Sequence, residues 1–422
     1  MAFENADNFA AYEQYLRLSR EWHEVYRGID LVEAMAAEII NFTVARGSAS
    51  WYLVVCTLLR RLHTDDILKA FEQHKNVFTY DAPRRRDHRK LSELIQSSVA
   101  DSQRVELRYF YRPWGVILPF LKNYLTIAKR VEVSFVNRCY LAALMTSYKV
   151  MIRQLGKTFK NFDVRGKSLI PFCSPAYVEA LLTLFFKSKG VKTYSTVHGY
   201  FGRYKQFIAA DVVNGCNILA DKVLCFSENQ KEDLIRDFDI SADRIFVAGN
   251  PKYPKREIQF KSIYKNGLIV GGIAIYDNDL RRLFPQAEQV AEKLGLQFWV
   301  RPHPQSRITQ EELESYGHIN MADSSQTLVE ILKSGEYDFA ITHNTSAYYE
   351  CLYYGVRAYR WGMNENLMFE PLEESVQNAQ QLSEVIERTC ADKQADEERA
   401  EQLLVRNLGM GINLYDEILN AN

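Results

Sequence analysis

The feature that most constrains the fold is an alternation of strand and helix patterns that occurs twice along the chain. The first series begins with a strand over residues 168–173 and ends with a short strand over 244–248. The second spans residues 268–360 and includes strands over 268–276, 297–301, 338–342 and 356–360. Strands that alternate with helices predict parallel, doubly wound sheets. A turn-rich segment, residues 249–254, separates the two series and predicts a boundary near residue 250. The alternation therefore predicts an α/β chain with two doubly wound domains.

The remaining segments complete the predicted domain organisation. Apolar residues at helical spacing predict helices over residues 1–50, and apolar runs predict strands over 51–56 and 77–80. We expect an N-terminal domain over residues 1–250, with a helical and basic region up to about residue 160 before its Rossmann-like core. A second domain over 251–395 and a C-terminal helix over 396–422 follow.

Composition excludes several classes of protein. The chain has 422 residues, with 52 basic against 53 acidic side chains, which gives no sign of nucleic-acid binding. Its seven cysteines are dispersed without a CxxC pair, as is typical of reduced thiols in a cytoplasmic protein. We see neither a signal peptide nor a membrane-spanning run, so the expected location is the cytoplasm, including the inner face of its membrane.

One segment, residues 104–165, departs from this charge balance, with 12 basic and 3 acidic residues. A charge run of this kind usually marks a solvated helical face. The alternative is a surface that contacts an anionic membrane or polysaccharide, with Trp114, Phe120 and Tyr124 as interfacial anchors.

Two predicted strand ends in the second series carry the residues best suited to a ligand. Arg301-Pro302-His303-Pro304 ends one strand, and Thr342-His343-Asn344-Thr345-Ser346 ends another about 35 residues later and opens a helix. In an open parallel sheet, ligands bind at the carboxyl ends of the strands. Basic and hydroxyl side chains there favour an anionic, hydroxyl-rich ligand, such as a nucleotide-sugar.

The order of these motifs resembles the bacterial GT-B glycosyltransferases that build capsule, lipopolysaccharide and teichoic acid. The two strand ends are similar to the "HP" and "S" motifs of the CMP-sialic acid, CMP-Kdo and CDP-glycerol branches. Val197-His198-Gly199 resembles the Trp-His-Gly turn of glycerophosphate polymerases, with Val in place of Trp. The resemblance covers residues 165–365. It implies a GT-B fold in which two Rossmann-like domains face a cleft, with a CMP- or CDP-linked donor and a polysaccharide or glycolipid acceptor.

Each candidate donor-site residue has a structural and a functional interpretation. His303, held between two prolines, is a surface turn residue or a hydrogen-bond donor to a nucleotide phosphate. Thr345 and Ser346 cap a helix or bind that phosphate. Glu350, one turn beyond Ser346, is a solvated helix residue or binds the ribose hydroxyls. Arg301 pairs with phosphate or with a nearby carboxylate.

His198 is the predicted general base, because imidazole titrates near neutral pH and this residue follows a strand of the first series. Its alternative is a structural histidine. Asp81, at another strand end, is the second candidate, and Lys205 and Arg203 are candidates to hold an anionic acceptor. We expect neither a metal nor another cofactor, because no strand-flanked Asp-x-Asp motif is present.

Three other functions remain open. A transferase that uses a UDP-sugar has the same requirements. A nucleotide-sugar 2-epimerase shares the fold but needs several carboxylates in the N-terminal domain, which the sequence does not reveal. A catalytically silent GT-B subunit needs neither His198 nor His303.

Overall fold

The computed structural model describes residues 8–43, 47–81, 86–199, 215–362 and 374–421. The chain divides into two units. Unit 1 comprises Met1–Lys252 together with Ile412–Asn422, and unit 2 comprises Tyr253–Gly411. Lys205 and Arg203 lie outside the described residues.

Unit 1 begins with a mainly helical region and continues into the first alternating series. In chain order its elements are α1 (Asn8–Glu21), β1 (Val25–Tyr26), β2 (Ile29–Asp30), α2 (Leu31–Ala34), α3 (Ala36–Thr43), α4 (Trp51–Leu59), β3 (Arg60–Leu62), α5 (Thr64–Gln73), β4 (Asn76–Asp81), α6 (Arg86–Ser97), β5 (Ser102–Leu107), β6 (Tyr109–Tyr111), α7 (Ile117–Arg130), α8 (Phe135–Thr158), β7 (Ser168–Pro171), α9 (Tyr177–Lys187), β8 (Lys192–Thr196), β9 (Lys222–Cys225), α10 (Glu228–Phe238) and β10 (Ile245–Val247).

The main sheet of unit 1 has six strands in the order β10-β9-β8-β7-β4-β5, and every neighbouring pair is parallel. The chain adds β5 on one side of β4 and then crosses to β7 on the other. The strand order therefore reverses between β4 and β7, which makes their carboxyl ends the switch point of this sheet. Two short antiparallel pairs, β1–β2 and β3–β6, lie outside it.

One sequence prediction for unit 1 was wrong. Residues 51–56 form the start of α4 instead of a strand, because Ser50 caps the helix by accepting the Leu53 N–H, and Val54 and Thr57 pack inward. A short apolar run fits both structures, so periodicity alone does not separate them. The strand predicted over residues 77–80 is present as β4, and this region also contributes β5, which the sequence did not predict, to the main sheet.

Unit 2 contains the second alternating series. In chain order its elements are β11 (Asn266–Val270), α11 (Asp277–Leu294), β12 (Gln297–Arg301), α12 (Gln310–Leu313), β13 (Ile319–Met321), α13 (Leu328–Lys333), β14 (Phe339–Thr342), α14 (Ala347–Tyr353), β15 (Arg357–Trp361), β16 (Ser375–Val376), α15 (Ala379–Ala391) and α16 (Lys393–Leu408).

The sheet of unit 2 is also six-stranded and parallel, in the order β13-β12-β11-β14-β15-β16. This is the Rossmann order 3-2-1-4-5-6, and its switch point lies between β11 and β14. All four residues of β14, Phe339–Thr342, are buried, as is typical of a central strand that is covered on both faces. Two parallel, doubly wound units with a helical N-terminal elaboration confirm the predicted GT-B class of fold.

The last residues of the chain return to unit 1. The sequence predicted one helix over 396–422, but α16 ends at Leu408 and a separate helix, α17 (Tyr415–Asn420), follows. Gly409 and Gly411 between them have φ values of 70° and 76°, a left-handed conformation that ends a helix. The Leu414 N–H donates to the Ala248 carbonyl over 2.8 Å, so the segment is hydrogen-bonded beside the end of β10.

Tyr415 anchors this segment and allows a graded test. Its ring is fully buried, and its hydroxyl donates to the Gly249 carbonyl over 3.0 Å. Tyr415→Phe should lower the free energy of unfolding by about 1 kcal/mol, the value of one hydrogen bond. Tyr415→Ala should lower it by roughly 3–5 kcal/mol through the cavity it leaves. Urea denaturation measures both.

The control is Tyr52→Ala, because Tyr52 is an 80 % exposed tyrosine in the same unit. Its effect should stay within about 0.5 kcal/mol. Equal effects of Tyr52→Ala and Tyr415→Ala would contradict the anchoring role.

Candidate functional site

Three strand ends meet at the switch point of the unit 2 sheet. The turn after β11 is Gly271-Gly272, and a Cβ atom on Gly272 would lie 3.0 Å from the His343 carbonyl oxygen beyond β14. A Cβ on Gly271 would lie 3.6 Å from the Pro302 Cα and 3.7 Å from the His303 nitrogen beyond β12. Glycine at position 272 therefore lets the ends of β11 and β14 approach each other, whereas the end of β12 lies at ordinary contact distance from position 271, where a Cβ would instead meet the Leu280 side chain at 2.8 Å.

The position of this glycine pair relative to the strand differs from the prediction. The strand was predicted over residues 268–276, which placed Gly271 and Gly272 inside it, whereas β11 ends at Val270. The pair forms the turn directly after the first strand of a Rossmann sheet. In this position, glycine allows backbone to approach a phosphate closely.

His303 lies in a loop that unit 2 holds firmly. The buried Asp277 carboxylate accepts the Ser306 hydroxyl and the Arg307 N–H, both over 2.7 Å. Within the loop, the His303 Nδ1 accepts the Gln305 N–H over 3.2 Å. In the neutral imidazole this places the proton on Nε2, which makes that atom a hydrogen-bond donor.

Thr345 and Ser346 lie where the chain enters α14. The Thr345 Oγ1 accepts the Ala347 N–H over 3.3 Å, so this hydroxyl oxygen caps the helix. The exposed Ser346 is the N-cap residue, yet its side chain makes no capping hydrogen bond. Because α14 has only seven residues, its dipole is short, and the Ser346 hydroxyl is the stronger element of the predicted phosphate site.

Glu350 lies one turn beyond Ser346 on the same helix and is half-buried. One carboxylate oxygen accepts the Tyr253 hydroxyl over 2.8 Å. This hydrogen bond restrains the orientation of the carboxylate.

Arg301 is engaged elsewhere. Its guanidinium donates to the carbonyl oxygens of Asp323 over 3.3 Å and Gln326 over 2.6 Å. The side chain therefore stabilises the turn after β13. A contact with a phosphate would use the other N–H groups of the guanidinium.

His343 belongs to the motif at residues 342–346 but was not predicted as a site residue. Its contacts stabilise the strand ends at the switch point. It is buried, its Nδ1 donates to the Trp361 carbonyl over 2.7 Å, and its Nε2 lies 3.4 Å from an Asp279 carboxylate oxygen. These contacts join the ends of β14 and β15 to the start of α11. Asn344, with a φ of 43°, then turns the chain toward Thr345 and Ser346.

In unit 1, Asp81 is the last residue of β4 and lies at the switch point of that sheet. It is only 5 % exposed, and its Oδ1 accepts the Tyr109 hydroxyl over 2.9 Å. The Arg60 guanidinium carbon lies 4.8 Å from the centre of the Tyr109 ring. Burial, followed by the Asp81 charge, raises the pKa of the Tyr109 phenol, which therefore remains a donor.

A second carboxylate belongs to the same cluster. Glu38 in α3 is 6 % exposed, and among the described residues its Oε2 has no hydrogen-bond partner. Burial is the main reason that the pKa of Glu38 rises to about 7; the Asp81 charge raises it further, whereas Arg60 lowers it. The sequence missed Glu38 because the residue lies in a helix whose spacing only indicated a core-facing side.

His198 follows β8 at the same edge of the unit 1 sheet as Asp81. It is half-buried, and its ring centre lies 5.0 Å from that of His88 and 5.7 Å from that of Phe172. The Gln230 side chain donates to the Gly199 carbonyl over 2.7 Å and accepts the Phe226 N–H over 2.8 Å, which fixes the turn that carries His198. Since β7 separates β4 from β8, the ends of these strands lie about 10 Å apart.

One group in the described part of unit 2 has the spacing of a metal site. Ligand atoms of Glu288, Glu292 and His318 lie within 4.8 Å of one another. However, Glu288 already accepts the Gly317 and His318 N–H groups, and His318 precedes β13 at the opposite edge of the sheet. This group is not part of the candidate site.

The sequence matches no family model, and no curated protein matches it. Among solved structures, the UDP co-structure of MnaA from S. aureus aligns with a TM-score of 0.46 at 12 % identity, covering 82 % of this chain and 95 % of that one. UDP-GlcNAc 2-epimerase from Neisseria meningitidis, bound to UDP-GlcNAc, gives 0.46 at 11 %, covering 82 % and 97 %.

The lipopolysaccharide outer core galactosyltransferase WaaB, in its apo form, gives a TM-score of 0.46 at 14 % identity, with 82 % of this chain and 98 % of that one covered. These comparisons assign no activity to this chain.

The buried Glu38 predicts a pH-dependent stability. Its folded-state pKa of about 7 exceeds the ordinary 4.5, so the folded protein keeps a proton that the unfolded chain loses between these values. Stability is therefore greatest below pH 4.5 for this group and falls as pH rises toward 7. Glu38→Gln should remove this loss and raise the free energy of unfolding at pH 8 by roughly 3 kcal/mol.

Urea denaturation at pH 5 and pH 8 tests the effect. Glu72→Gln, at an exposed position of the same unit, is the matched control and should leave the pH dependence unchanged. A Glu38→Gln protein with the same pH dependence as the wild type would show that Glu38 is ionised without penalty.

Proposed function

We propose that the chain is a metal-independent glycosyltransferase that moves a sugar from a nucleotide-activated donor to a hydroxyl of a surface polysaccharide or glycolipid. The supporting observation is the convergence of the ends of β12, β11 and β14, which brings the His303 loop beside the glycine turn at a Rossmann switch point. A CMP- or CDP-linked donor is favoured by the resemblance of the two strand ends, and a UDP-sugar is second.

The donor phosphates are the part of the substrate that this edge suits best. When the nucleotide leaves, negative charge accumulates on the phosphate oxygens, and fixed donors lower the energy of that state. The His303 Nε2–H and the Ser346 hydroxyl are such donors, and the segments that carry them begin beside the Gly271-Gly272 turn. This arrangement supports charge stabilisation by protein groups without a bound cation.

The ribose is assigned to Glu350. A carboxylate accepts two vicinal hydroxyls, and its position one turn beyond Ser346 is compatible with a nucleoside whose phosphate contacts that serine. The Tyr253 hydroxyl holds the carboxylate in one orientation before the ligand arrives.

Proton removal from the acceptor is assigned to His198. The imidazole is half-buried beside His88 and Phe172, and Gln230 fixes the turn beneath it. Asp81 is the weaker candidate, because its carboxylate is buried and already accepts the Tyr109 hydroxyl. A base at His198 takes the acceptor proton as the new glycosidic bond forms.

A specific observation favours nucleotide-sugar 2-epimerisation as the second function. That reaction requires acids in the first domain, which the sequence did not reveal. In unit 1, Glu38 and Asp81 are buried together near the switch point, and Glu179 accepts the Phe172 N–H over 2.9 Å beyond β7. The two reactions differ in a direct way, because epimerisation at C2 breaks the C2–H bond and needs no acceptor.

Nucleotide binding tests the donor site. Thermal shift with CMP, CDP, UDP and GDP, each with and without EDTA, should identify one stabilising nucleotide whose effect is insensitive to EDTA. His303→Ala should weaken its affinity about tenfold to a hundredfold, the value of a hydrogen bond to a charged group. Ser346→Ala should weaken it about threefold to tenfold.

The control is His318→Ala, which removes a histidine from the opposite edge of the same sheet. Equal affinity in the wild type and His303→Ala would contradict the phosphate assignment. Absence of a shift with all four nucleotides would favour a catalytically silent subunit.

Turnover tests the base. With the nucleotide-sugar selected by the binding experiment and a surface-glycan extract as acceptor, His198→Ala should lower the rate of nucleotide release by about a hundredfold to ten-thousandfold, with unchanged nucleotide affinity. His74→Ala, at the start of β4 on the other edge of the sheet, should retain the wild-type rate.

Unchanged turnover in His198→Ala would remove the base assignment. Deuterium incorporation at C2 of the donor in D2O, without acceptor and sensitive to Glu38→Gln, would instead identify the epimerase.

A further inference from the structure

The exposed large apolar side chains of the described residues are concentrated in one region of unit 1. Eleven of eighteen belong to α4, β6, α7, the loop before α7 and the start of α8. Trp114 and Leu118 are each 79 % exposed and Tyr52 is 80 % exposed. Isolated surface apolar residues are ordinary, but a group of this size usually marks a binding surface.

Ring and backbone contacts connect the elements that carry these side chains. The Phe135 ring at the start of α8 lies 5.9 Å from Trp51 in α4 and 6.1 Å from Tyr124 in α7. The Arg112 N–H, one residue beyond β6, donates to the Leu59 carbonyl at the end of α4 over 2.9 Å, which holds the segment before Trp114 beside α4. We call this region the α4/α7 surface, represented by Trp51, Tyr52, Trp114, Leu118, Leu121 and Leu125.

Helix α7 presents two different faces. Asn123 and Ile127 are buried, and the half-buried Phe120 and Tyr124 pack against the core beside α8. On the other side, Ile117, Leu121 and Leu125 repeat every four residues and form an exposed stripe with Leu118. Phe120 and Tyr124, predicted from the sequence as interfacial anchors, thus hold the helix in place, and the stripe is what faces outward.

The charge around the stripe has one sign. Between Arg108 and Val131 the chain has five basic residues and no acidic one. Lys122 and Lys129 are exposed and, at 100° per residue, lie directly beside Leu118 on the helical wheel. A lysine at the margin of an apolar stripe can bury its aliphatic stem while its ammonium group reaches the headgroups.

We propose that the α4/α7 surface docks the protein on an anionic lipid bilayer. Exposed tryptophan and tyrosine, a leucine stripe and flanking lysines on one helix are the combination that an anionic interface selects. A protein partner would require the complementary acidic face, whereas an anionic bilayer offers both the charge and an apolar layer. No helix of the described residues is long and apolar enough to cross a membrane, so this contact is made at the interface.

Vesicle binding by the full chain tests this proposal without any donor or acceptor. The wild type should co-sediment with phosphatidylcholine vesicles that contain about 30 % phosphatidylglycerol, bind pure phosphatidylcholine far more weakly, and dissociate as salt is raised. Leu118→Glu combined with Leu121→Glu should lower the partition coefficient at least about tenfold. Lys122→Glu combined with Lys129→Glu should do the same for anionic vesicles alone.

The matched control is Ile263→Glu, which places the same charge at a 73 % exposed apolar residue of unit 2. It should bind vesicles as the wild type does. All substituted positions are exposed, and circular dichroism with a thermal melt verifies that each variant is folded.

Three results would overturn the proposal: no binding of the wild type to anionic vesicles, an equal loss in Ile263→Glu, or binding that ignores lipid charge. A concentration-dependent dimer, detected by analytical ultracentrifugation and abolished by the Leu118/Leu121 variant, with no vesicle binding, would identify a protein interface instead. Because the vesicle assay needs no nucleotide, its result can be interpreted even if the glycosyltransferase proposal fails.

Discussion

The parallel direction of all strands in each six-stranded sheet is the constraint on which the rest of this structure depends. Parallel strands bring all their carboxyl ends to one edge, and the crossover that reverses the strand order separates two of the loops at that edge. In unit 2 the reversal between β11 and β14 places Gly271-Gly272 against the backbone of His343 and Pro302. His303 and Ser346 follow the ends of β12 and β14. They are far apart in sequence, and the strand order brings the segments that carry them to the same glycine turn.

The two switch points differ in chemistry. Unit 2 presents the hydrogen-bond donors His303 and Ser346 together with the Glu350 carboxylate, and Asp277 and Asp279 hold the His303 loop and His343. Unit 1 buries carboxylates. The pKa of one of them, Glu38, rises to about 7, because burial disfavours its charged form more than the Arg60 charge stabilises it. Donors suit a leaving phosphate, and an acid that titrates near pH 7 suits proton transfer. The contrast is what permits both a transferase and an epimerase to be considered for the same chain.

Much of the fold could be predicted because the spacing of apolar residues distinguishes helices from strands clearly in long alternating series. The strand over residues 297–301 was predicted with the bounds that β12 has; β14 begins one residue later than predicted, and β15 is displaced by one residue at both ends. Prediction failed where a local pattern fits two structures. The run from Trp51 to Cys56 is helical because Ser50 caps it, and the glycine pair was hidden because apolar residues continue beyond β11. Glu38 could not be found at all, since its environment is built by Arg60 and Asp81 from other elements.

The basic segment shows why tertiary structure was needed to choose between two interpretations of one sequence. A solvated basic face and a membrane-binding face have the same charges, and they differ only in whether apolar residues accompany those charges outward. Packing against α8 uses Phe120, Tyr124 and Ile127 of α7, which leaves Ile117, Leu121 and Leu125 with no place in the core. A solvated face has no use for such a stripe, because exposed leucine neither improves solubility nor stabilises the helix relative to lysine or glutamate. The orientation of α7 therefore exposes its apolar stripe, which favours contact with the apolar layer of a membrane.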